Sequence, residues 1–194
     1  MITHIHGKLI KKTPTYVVID VNGIGYLIKI SLQTFSAIKG DFCELYTHLS
    51  VKEDSHTLFG FFEESERDLF RKLISVSGVG PSTAQIILST YSTKEIIHHI
   101  TSADVNAIQS VKGIGAKSAQ RIIVDLKDKV AKGLPTSELM FDNKGNTIKQ
   151  EALSALLALG FAKKAAENKI DKVLRENSEI ASVEELVKTA LSQM

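Results

Sequence analysis

The ten residues Gly78-Val79-Gly80-Pro81-Ser82-Thr83-Ala84-Gln85-Ile86-Ile87 return 35 positions later as Gly113-Ile114-Gly115-Ala116-Lys117-Ser118-Ala119-Gln120-Arg121-Ile122. Both segments start with Gly-x-Gly, share an Ala-Gln pair and continue with apolar residues at helical spacing. Each predicts a tight hairpin that follows one helix and opens another. A repeated supersecondary unit is harder to obtain from turn chemistry alone than a single glycine turn. The repeat therefore predicts an all-helical region built from two copies of one hairpin motif.

The residue types of the hairpins suit contact with a phosphate. Glycine permits positive φ and lets the backbone approach a ligand with no Cβ in the way. The apolar residue between the glycines, Val79 or Ile114, is expected to point inward and hold the hairpin on the core. The next helix begins with free N–H groups and a positive dipole end, which favour an anion, and Pro81 suits its first turn. The candidate contacts are Gly78, Val79, Gly80, Ser82 and Thr83 in the first hairpin and Gly113, Ile114, Gly115, Lys117, Ser118 and Arg121 in the second.

The second hairpin has the stronger charge. Lys117 and Arg121 are four residues apart and so share a helix face, with Ser118 beside them as a neutral donor. The first hairpin offers Ser82 and Thr83 with no basic residue nearby, and it must depend on backbone N–H groups. Such contacts reach the sugar-phosphate chain and not the base edges, which predicts recognition of nucleic-acid shape without regard to sequence.

Other interpretations of these segments stay open. A dinucleotide fingerprint needs a third glycine and a preceding strand, whereas both copies lack that glycine and follow predicted helices. A P-loop needs a preceding strand and a glycine where Ala116 stands, so nucleotide binding is the weaker interpretation. Each hairpin is also compatible with a plain helix–helix turn. A DNA glycosylase or lyase would need a base-flipping pocket and a catalytic group just beyond the hairpin, where Asp125 is the nearest carboxylate. A scaffold that binds only proteins predicts no loss of function when Lys117 and Arg121 are changed to Ala.

Residues 1–62 predict a small β-barrel. The run 16–21 is β-branched and aromatic, Asn22-Gly23 suits a tight hairpin turn, and 25–30 alternates. Further runs at roughly 2–10, 42–51 and 57–62 bring the expected number of strands to five. A five-stranded antiparallel sheet of this size closes most simply into an oligonucleotide/oligosaccharide-binding (OB) barrel.

From residue 63 onward the apolar period changes to that of helices. Helices are expected at about 63–76, 81–90, 93–100, 102–109 and 116–131, with Ser92 and Glu95 forming a capping box. Residues 134–146 lose this periodicity, which predicts a flexible linker. In residues 147–194 we expect three helices, with Thr147 and Gln150 opening the first, Gly160 ending it, and Ser182 with Glu185 opening the last. The expected fold class is an α+β multidomain chain with boundaries at 1–62, 63–133, 134–146 and 147–194.

Composition restricts the class of protein further. The chain has 194 residues, of which 43% are hydrophobic and 24% are charged, the profile of a globular protein. The formal net charge is only +2, so nucleic-acid binding would depend on local geometry. Cys43 is the single cysteine and is expected in the core, while His4 and His6 lack a third metal ligand nearby. We expect no metal, no cofactor, no signal peptide and no membrane span, and therefore a cytoplasmic location.

The whole chain resembles the RuvA family of Holliday-junction branch-migration proteins. The resemblance covers the barrel, the doubled hairpin, the linker and the three-helix tail in order. The segments that carry it are Met1-Ile2 with Gly7, Val21 to Tyr26, Val51 to Asp54, Leu58 to Phe61, Gly78 to Pro81, Gly113 to Gly115, Ile123 to Asp128, and Ala155 to Phe161.

The resemblance implies a non-catalytic subunit that binds four-way DNA junctions through phosphates and holds them open. The family forms a homotetramer, with an octamer as a further possibility on DNA, and works with the RuvB ATPase and the RuvC resolvase. The implied processes are DNA recombination, DNA repair and the SOS response to DNA damage.

Two further sets of residues gain a role only through the resemblance. Glu53 and Asp54 look like an acidic pin at the junction centre, where like charges would repel phosphates; the residues alone predict only a solvated turn. Four apolar residues of the tail resemble the patch that meets the ATPase, although residues of this kind also form cores. These four are Leu156, Leu159, Phe161 and Leu191.

The chain departs from the family pattern at both hairpins. The position after Pro81 is often basic and is Ser82 here, and Ala116 replaces the first of two lysines. Lys112 stands where Pro usually precedes the glycine. We therefore expect the same contacts with fewer charges.

Overall fold

A computed structural model describes residues 1–131, 144–177 and 182–192. The chain divides into two compact units, Met1–Leu134 and Pro135–Met194. The first unit contains the barrel and both hairpins, and the second contains the helices of the tail. No helix among the described residues has the length and apolar character needed to cross a membrane.

The predicted five-stranded barrel is confirmed. Its strands are β1 (His4–Lys12), β2 (Tyr16–Val21), β3 (Ile24–Ile30), β4 (Phe42–Val51) and β5 (His56–Phe61). They close in the order β1-β2-β3-β5-β4, with β4 paired to β1. The expectation of a wholly antiparallel sheet is wrong at one seam, because β3 and β5 run parallel. The chain crosses from β3 to β4 before β5 is formed, and this crossover brings β5 back beside β3 in the same direction.

The barrel interior follows from alternation along the strands. Val17 and Ile19 of β2, Ile28 of β3 and Leu45 of β4 are fully buried, whereas the residues between them face outward or are only partly covered. Cys43 lies in this core as expected, and burial raises the pKa of its thiol. A raised pKa leaves little thiolate at neutral pH, so this cysteine is a packing residue.

The sequence pattern did not predict helix α1 (Leu32–Ala37), which lies between β3 and β4. It begins at Ser31, whose side chain accepts a hydrogen bond from the Thr34 N–H at 3.0 Å. Six residues are too few to display a helical apolar period, so the helix escapes a search based on periodicity.

The predicted helices of the first unit are confirmed with small shifts at their ends. They are α2 (Glu64–Ile74), α3 (Pro81–Thr90), α4 (Thr93–Thr101), α5 (Val105–Gln109) and α6 (Ala116–Ala131). Helix α5 begins later than predicted because Ala103 adopts a positive φ of 58° and Asp104 caps the helix at the Ala107 N–H. The capping box of Ser92 and Glu95 is present, and the hydrogen bonds from Ser92 lower the pKa of Glu95.

The second unit contains helices α7 (Lys144–Ala158), α8 (Lys163–Glu176) and α9 (Val183–Ser192). The prediction that Thr147 opens α7 is wrong, because the helix already begins three residues earlier at Lys144. The chain leaves α7 through Gly160, at φ 94°, as predicted. Ser182 caps α9 by accepting the Glu185 N–H at 3.2 Å. Most of the predicted linker, residues 134–143, lies outside the described residues.

Candidate nucleic-acid interface

The two hairpins have the same backbone geometry. Gly78 and Gly113 adopt φ values of 90° and 88°, a region that L-residues enter only with strain. In each hairpin the next residue, Val79 or Ile114, is almost completely buried in the helical core. Its N–H donates to the carbonyl oxygen three residues earlier, at 3.0 and 3.1 Å. The sequence repeat is therefore also a structural repeat, and Val79 and Ile114 serve to hold the hairpins on the core.

The second glycine of each hairpin has a different role from the first. Gly80 has an ordinary extended conformation (φ −86°, ψ 168°) and forms the cap of α3, so it does not use the positive φ that glycine permits. A Cβ added to Gly80 or Gly115 would meet no protein atom within 4 Å. Internal packing does not require glycine at these two positions. What glycine provides there is open space beside the backbone, at the N-terminus of a helix, where an anion can approach closely.

A groove of about 480 Å³ joins the first hairpin to helix α6 of the second. It is lined by Ser77 and Gly78 of the first hairpin segment and by Lys117 and Arg121 of α6. The remaining lining residues are Ser118, Gln120, Val124 and Asp125. The predicted shared face of Lys117, Ser118 and Arg121 is thus present. Two cations against one carboxylate leave the groove with a net positive charge, which favours an anionic ligand.

The sequence pattern does not predict how this groove is built. The first hairpin has no basic residue of its own, but folding brings Gly78 into one groove with the cations of α6. Ser77 and Gln120 were not among the candidates, although Gln120 lies three residues from Lys117 and so on a neighbouring face of the helix. No local signal marks Ser77, since its position depends on packing between residues about 40 apart in the chain.

The other candidates of the first hairpin lie elsewhere. Ser82 is exposed and lines a second groove, between α3 and the barrel. Thr83 is partly buried in the first turn of α3. Lys112 is exposed at the entrance to the second hairpin and does not line the groove that contains Lys117.

Glu53 and Asp54 lie in the turn between β4 and β5, and both are exposed. The turn is closed by hydrogen bonds between the backbones of Lys52 and Ser55, at 2.8 and 3.4 Å. The Ser55 hydroxyl donates to Asp54 Oδ1 at 3.2 Å. The turn therefore presents two carboxylates to solvent at one end of the barrel.

The four apolar candidates of the tail separate into two groups. Leu156 is fully buried in the core of the second unit, so it is removed from the set of contact residues. Leu159 and Leu191 are 60% and 39% exposed, and Phe161 is partly covered. Leu157, which was not predicted, is also 39% exposed. The apolar residues available to a partner are therefore at the C-terminal ends of α7 and α9.

His4 and His6 are exposed on β1, and His6 stacks on Phe42 of β4 with ring centres 6.5 Å apart. No group of three potential metal ligands occurs within residues 1–131, 144–177 and 182–192.

Comparison with known protein families covers most of the chain. Residues 1–60 match the model of the RuvA N-terminal domain, and residues 147–194 match that of the RuvA C-terminal domain. Residues 70–128, which contain both hairpins, match a SAM-like tandem of helix-hairpin-helix motifs.

Individual relatives match over the full length. The chain is 56% identical to the Holliday junction branch migration complex subunit RuvA of Christiangramia forsetii, with 100% of both chains covered. It is 50% identical to the protein of the same name from Flavobacterium psychrophilum, again over 100% of both. The corresponding protein of Cytophaga hutchinsonii is 47% identical over 98% of both. With its barrel, its doubled hairpin and its tail matched in order, the chain belongs to the RuvA family.

Proposed function

We propose that this chain is a non-catalytic, structure-specific DNA-binding subunit that binds four-way junctions and holds them open for branch migration. The observation that carries the proposal is the groove lined by Gly78 of the first hairpin and by Lys117 and Arg121 of the second. It combines an exposed glycine, the first turn of a helix and two cations, groups that suit phosphate binding without reading bases. Relatives of full length carry the name of a Holliday junction branch migration subunit, which supports the junction as the DNA form.

The acidic turn supports a preference for junctions over duplex. Glu53 and Asp54 are exposed at one end of the barrel, and a phosphate brought near them is repelled. In a four-fold assembly, four such turns would surround the crossover, discourage tight binding there and guide strands as they exchange partners. The flanking hairpins would hold the arms.

We further propose that the subunit works as a homotetramer. A groove of about 590 Å³ between β3 and α3 exposes Leu27, Leu32 and Ile86, which are 55%, 47% and 40% accessible. On another side of the barrel, β4 begins with Phe42, which is 62% exposed beside β1. Apolar surfaces on different sides of one subunit suit a head-to-tail contact, the type that closes into rings. An octamer would need a further contact surface on each subunit, in addition to the surfaces that close the tetramer.

The partners follow from the same proposal. The groove residues Lys117, Arg121 and Ser118 offer a phosphate site, and no aromatic side chain lines the groove within the described residues. A base-flipping enzyme would need such walls. We therefore assign the motor to a separate RuvB ATPase, which would dock on the exposed Leu159 and Leu191 of the tail, and strand cleavage to a RuvC resolvase. A cytoplasmic location and roles in recombination, repair and the SOS response belong to the same proposal.

The test is a competition gel shift at physiological salt with a four-way junction and a duplex of the same arm sequence. We expect strong preference for the junction in a complex of tetramer size. The double variant Glu53→Ala/Asp54→Ala should bind duplex more tightly and so lose much of its junction preference, because repulsion at the centre is removed, while its branch-migration rate with RuvB falls. Equal binding of both DNAs by the wild type would contradict junction recognition, and binding to neither would favour a scaffold that contacts only proteins.

A further inference from the structure

A polar corner connects the barrel to the first hairpin. The corner lies where β3 ends and α1 begins, at Ile30 and Leu32. The side-chain amide of Gln85 in α3 donates to the Ile30 carbonyl oxygen at 2.6 Å. The Leu32 N–H donates to Ser89 Oγ at 3.2 Å, and this hydroxyl donates in turn to the Gln85 carbonyl oxygen at 2.8 Å. Two side chains of α3, one helical turn apart, therefore make hydrogen bonds to the backbone at the end of β3 and the start of α1.

The same corner is also fastened to helix α2. Both carboxylate oxygens of Glu66 accept hydrogen bonds, from Ser31 Oγ at 2.5 Å and from Thr34 Oγ1 at 2.8 Å. The Phe62 N–H donates to Thr34 Oγ1 at 3.1 Å. Since Ser31, Thr34 and Glu66 are all buried, these bonds form in a protected environment where they hold geometry firmly.

The repeat shows that the hairpin itself does not require the bond made by Gln85. Gln120 occupies the equivalent position in the second copy, where its side chain is exposed and lines the phosphate groove. Both hairpins nevertheless have the same glycine φ angles and the same buried apolar residue. The same residue type thus faces a ligand groove in one copy and the barrel in the other. The bond from Gln85 serves the placement of the hairpin, not its folding.

The bond connects the two parts of the proposed DNA site by a short path. Gln85 lies in the helix that starts at the first hairpin, and its acceptor Ile30 pairs with Gly60 of β5. Strand β5 starts directly after the turn that contains Glu53 and Asp54. One path from the hairpin to the acidic turn therefore runs through one side-chain hydrogen bond and one strand pairing, beside the packing of Phe59 and Phe61 in the helical core.

We propose that Gln85 is a positioning residue for junction selectivity, which holds the first hairpin at a fixed distance from the acidic turn. This inference rests on the proposed function. A duplex contacts the hairpins alone and tolerates small movements of α3 relative to the barrel. A four-way junction must meet the hairpins and the acidic turn together, so its binding depends on the distance between them.

The experiment measures dissociation constants for a four-way junction and for a duplex with the same arms, at one salt concentration. Gln85→Met keeps the side-chain length and removes the donor. We expect the junction-to-duplex affinity ratio to fall about tenfold, the loss of one hydrogen bond of ordinary strength, with duplex affinity within about twofold of the wild type. Ser89→Ala removes the second fastening and should lower the ratio in the same direction by less.

Two control variants distinguish a change in the position of the hairpin from the loss of a DNA contact and from a general loss of structure. Gln33→Met changes an exposed glutamine of α1 and should leave both affinities unchanged. Gln120→Met changes the equivalent residue of the repeat in the groove and should weaken junction and duplex alike, with no change in the ratio. Light scattering of every variant checks that the assembled mass is that of the wild type, since Gln85 also lines the groove that contains Ile86.

The outcomes discriminate between the two proposals. A wild type that prefers the junction, with Gln85→Met and Ser89→Ala retaining its ratio, overturns the positioning role and leaves the proposed function intact. Equal weakening of both DNAs in Gln85→Met, or a loss of assembled mass, also overturns the positioning role. A wild type with no junction preference overturns the proposed function itself.

Discussion

Removal of the two cations of the groove tests the phosphate site directly. Lys117 and Arg121 are exposed on α6 and line the same groove as Gly78. We expect Lys117→Ala/Arg121→Ala to weaken binding of junction and duplex uniformly, whatever the sequence of the arms. The reason is that charge contacts to the sugar-phosphate chain do not read bases.

The size of the effect follows from counterion release. Each phosphate neutralised on B-DNA contributes about 0.9 to the slope of log affinity against log salt. Two lost contacts per protomer should reduce that slope by about 1.8, and by more where several protomers bind one junction. Between 50 and 200 mM salt, a slope smaller by about 1.8 makes the affinity of the variant roughly 12-fold less sensitive to salt than that of the wild type.

Fluorescence anisotropy with a labelled junction, titrated at four salt concentrations, measures the slope. Lys127→Ala is the matched control, because Lys127 is an exposed lysine of the same helix that does not line the groove. The salt slope of Lys127→Ala should differ from that of the wild type by well under about 0.9, the contribution of one phosphate contact. A double variant with the slope of the wild type, or a control variant with the larger change, would refute the assignment of the groove as the phosphate site.

Three further predictions concern the hairpin, the corner and the assembly. Gly78→Ala should lower the free energy of unfolding by about 1–2 kcal/mol, because φ is 90° at this position. Gly80→Ala should lower it by about 1 kcal/mol or less, but should weaken DNA binding, because its methyl group would occupy the space proposed for a phosphate. Urea unfolding measures the effect on stability, and fluorescence anisotropy measures the effect on binding. Burial raises the pKa of Glu66 in the folded protein, so ionisation of its carboxyl group opposes folding. The stability of the wild type relative to Glu66→Gln should therefore be greatest below the pKa that Glu66 has in the unfolded chain. It should decline as pH rises through the pKa of Glu66 in the folded protein. In the same series, Glu66→Leu should cost about 2–4 kcal/mol at low pH, because two buried hydroxyl donors lose their acceptor, and less as pH rises. A difference between wild type and Glu66→Gln that does not change with pH would contradict this. Ile86→Asp should reduce the assembled mass in light scattering, and a mass equal to that of the wild type would remove this groove from the subunit contact.

Features that depend on neighbouring residues were predictable from the sequence. The Gly-x-Gly repeat indicated two hairpins because a positive φ and an inward apolar residue are requirements of a few consecutive positions. The capping box at Ser92 and the terminating Gly160 were confirmed for the same reason. The strands were recognised from alternation, although their ends differ by up to two residues from those observed.

Features that depend on distant residues were not predictable. The pattern of β3 and β5 is compatible with either direction of pairing, and only the crossover between them made the pair parallel. The burial of Leu156 depends on which face of α7 meets α8 and α9, so the interpretation of four equivalent apolar contacts was wrong for that residue.

The sequence by itself determined the barrel, the two hairpins, the residue types proposed to contact phosphate and the family, because these are carried by short segments with local physical requirements. Only the tertiary structure decided that Gly78 shares a groove with Lys117, and that Gln85 bonds to the barrel while Gln120 faces that groove. The two glutamines stand in matching segments. Their surroundings differ because one helix packs beside the barrel and the other does not, and no local sequence pattern indicates this contact.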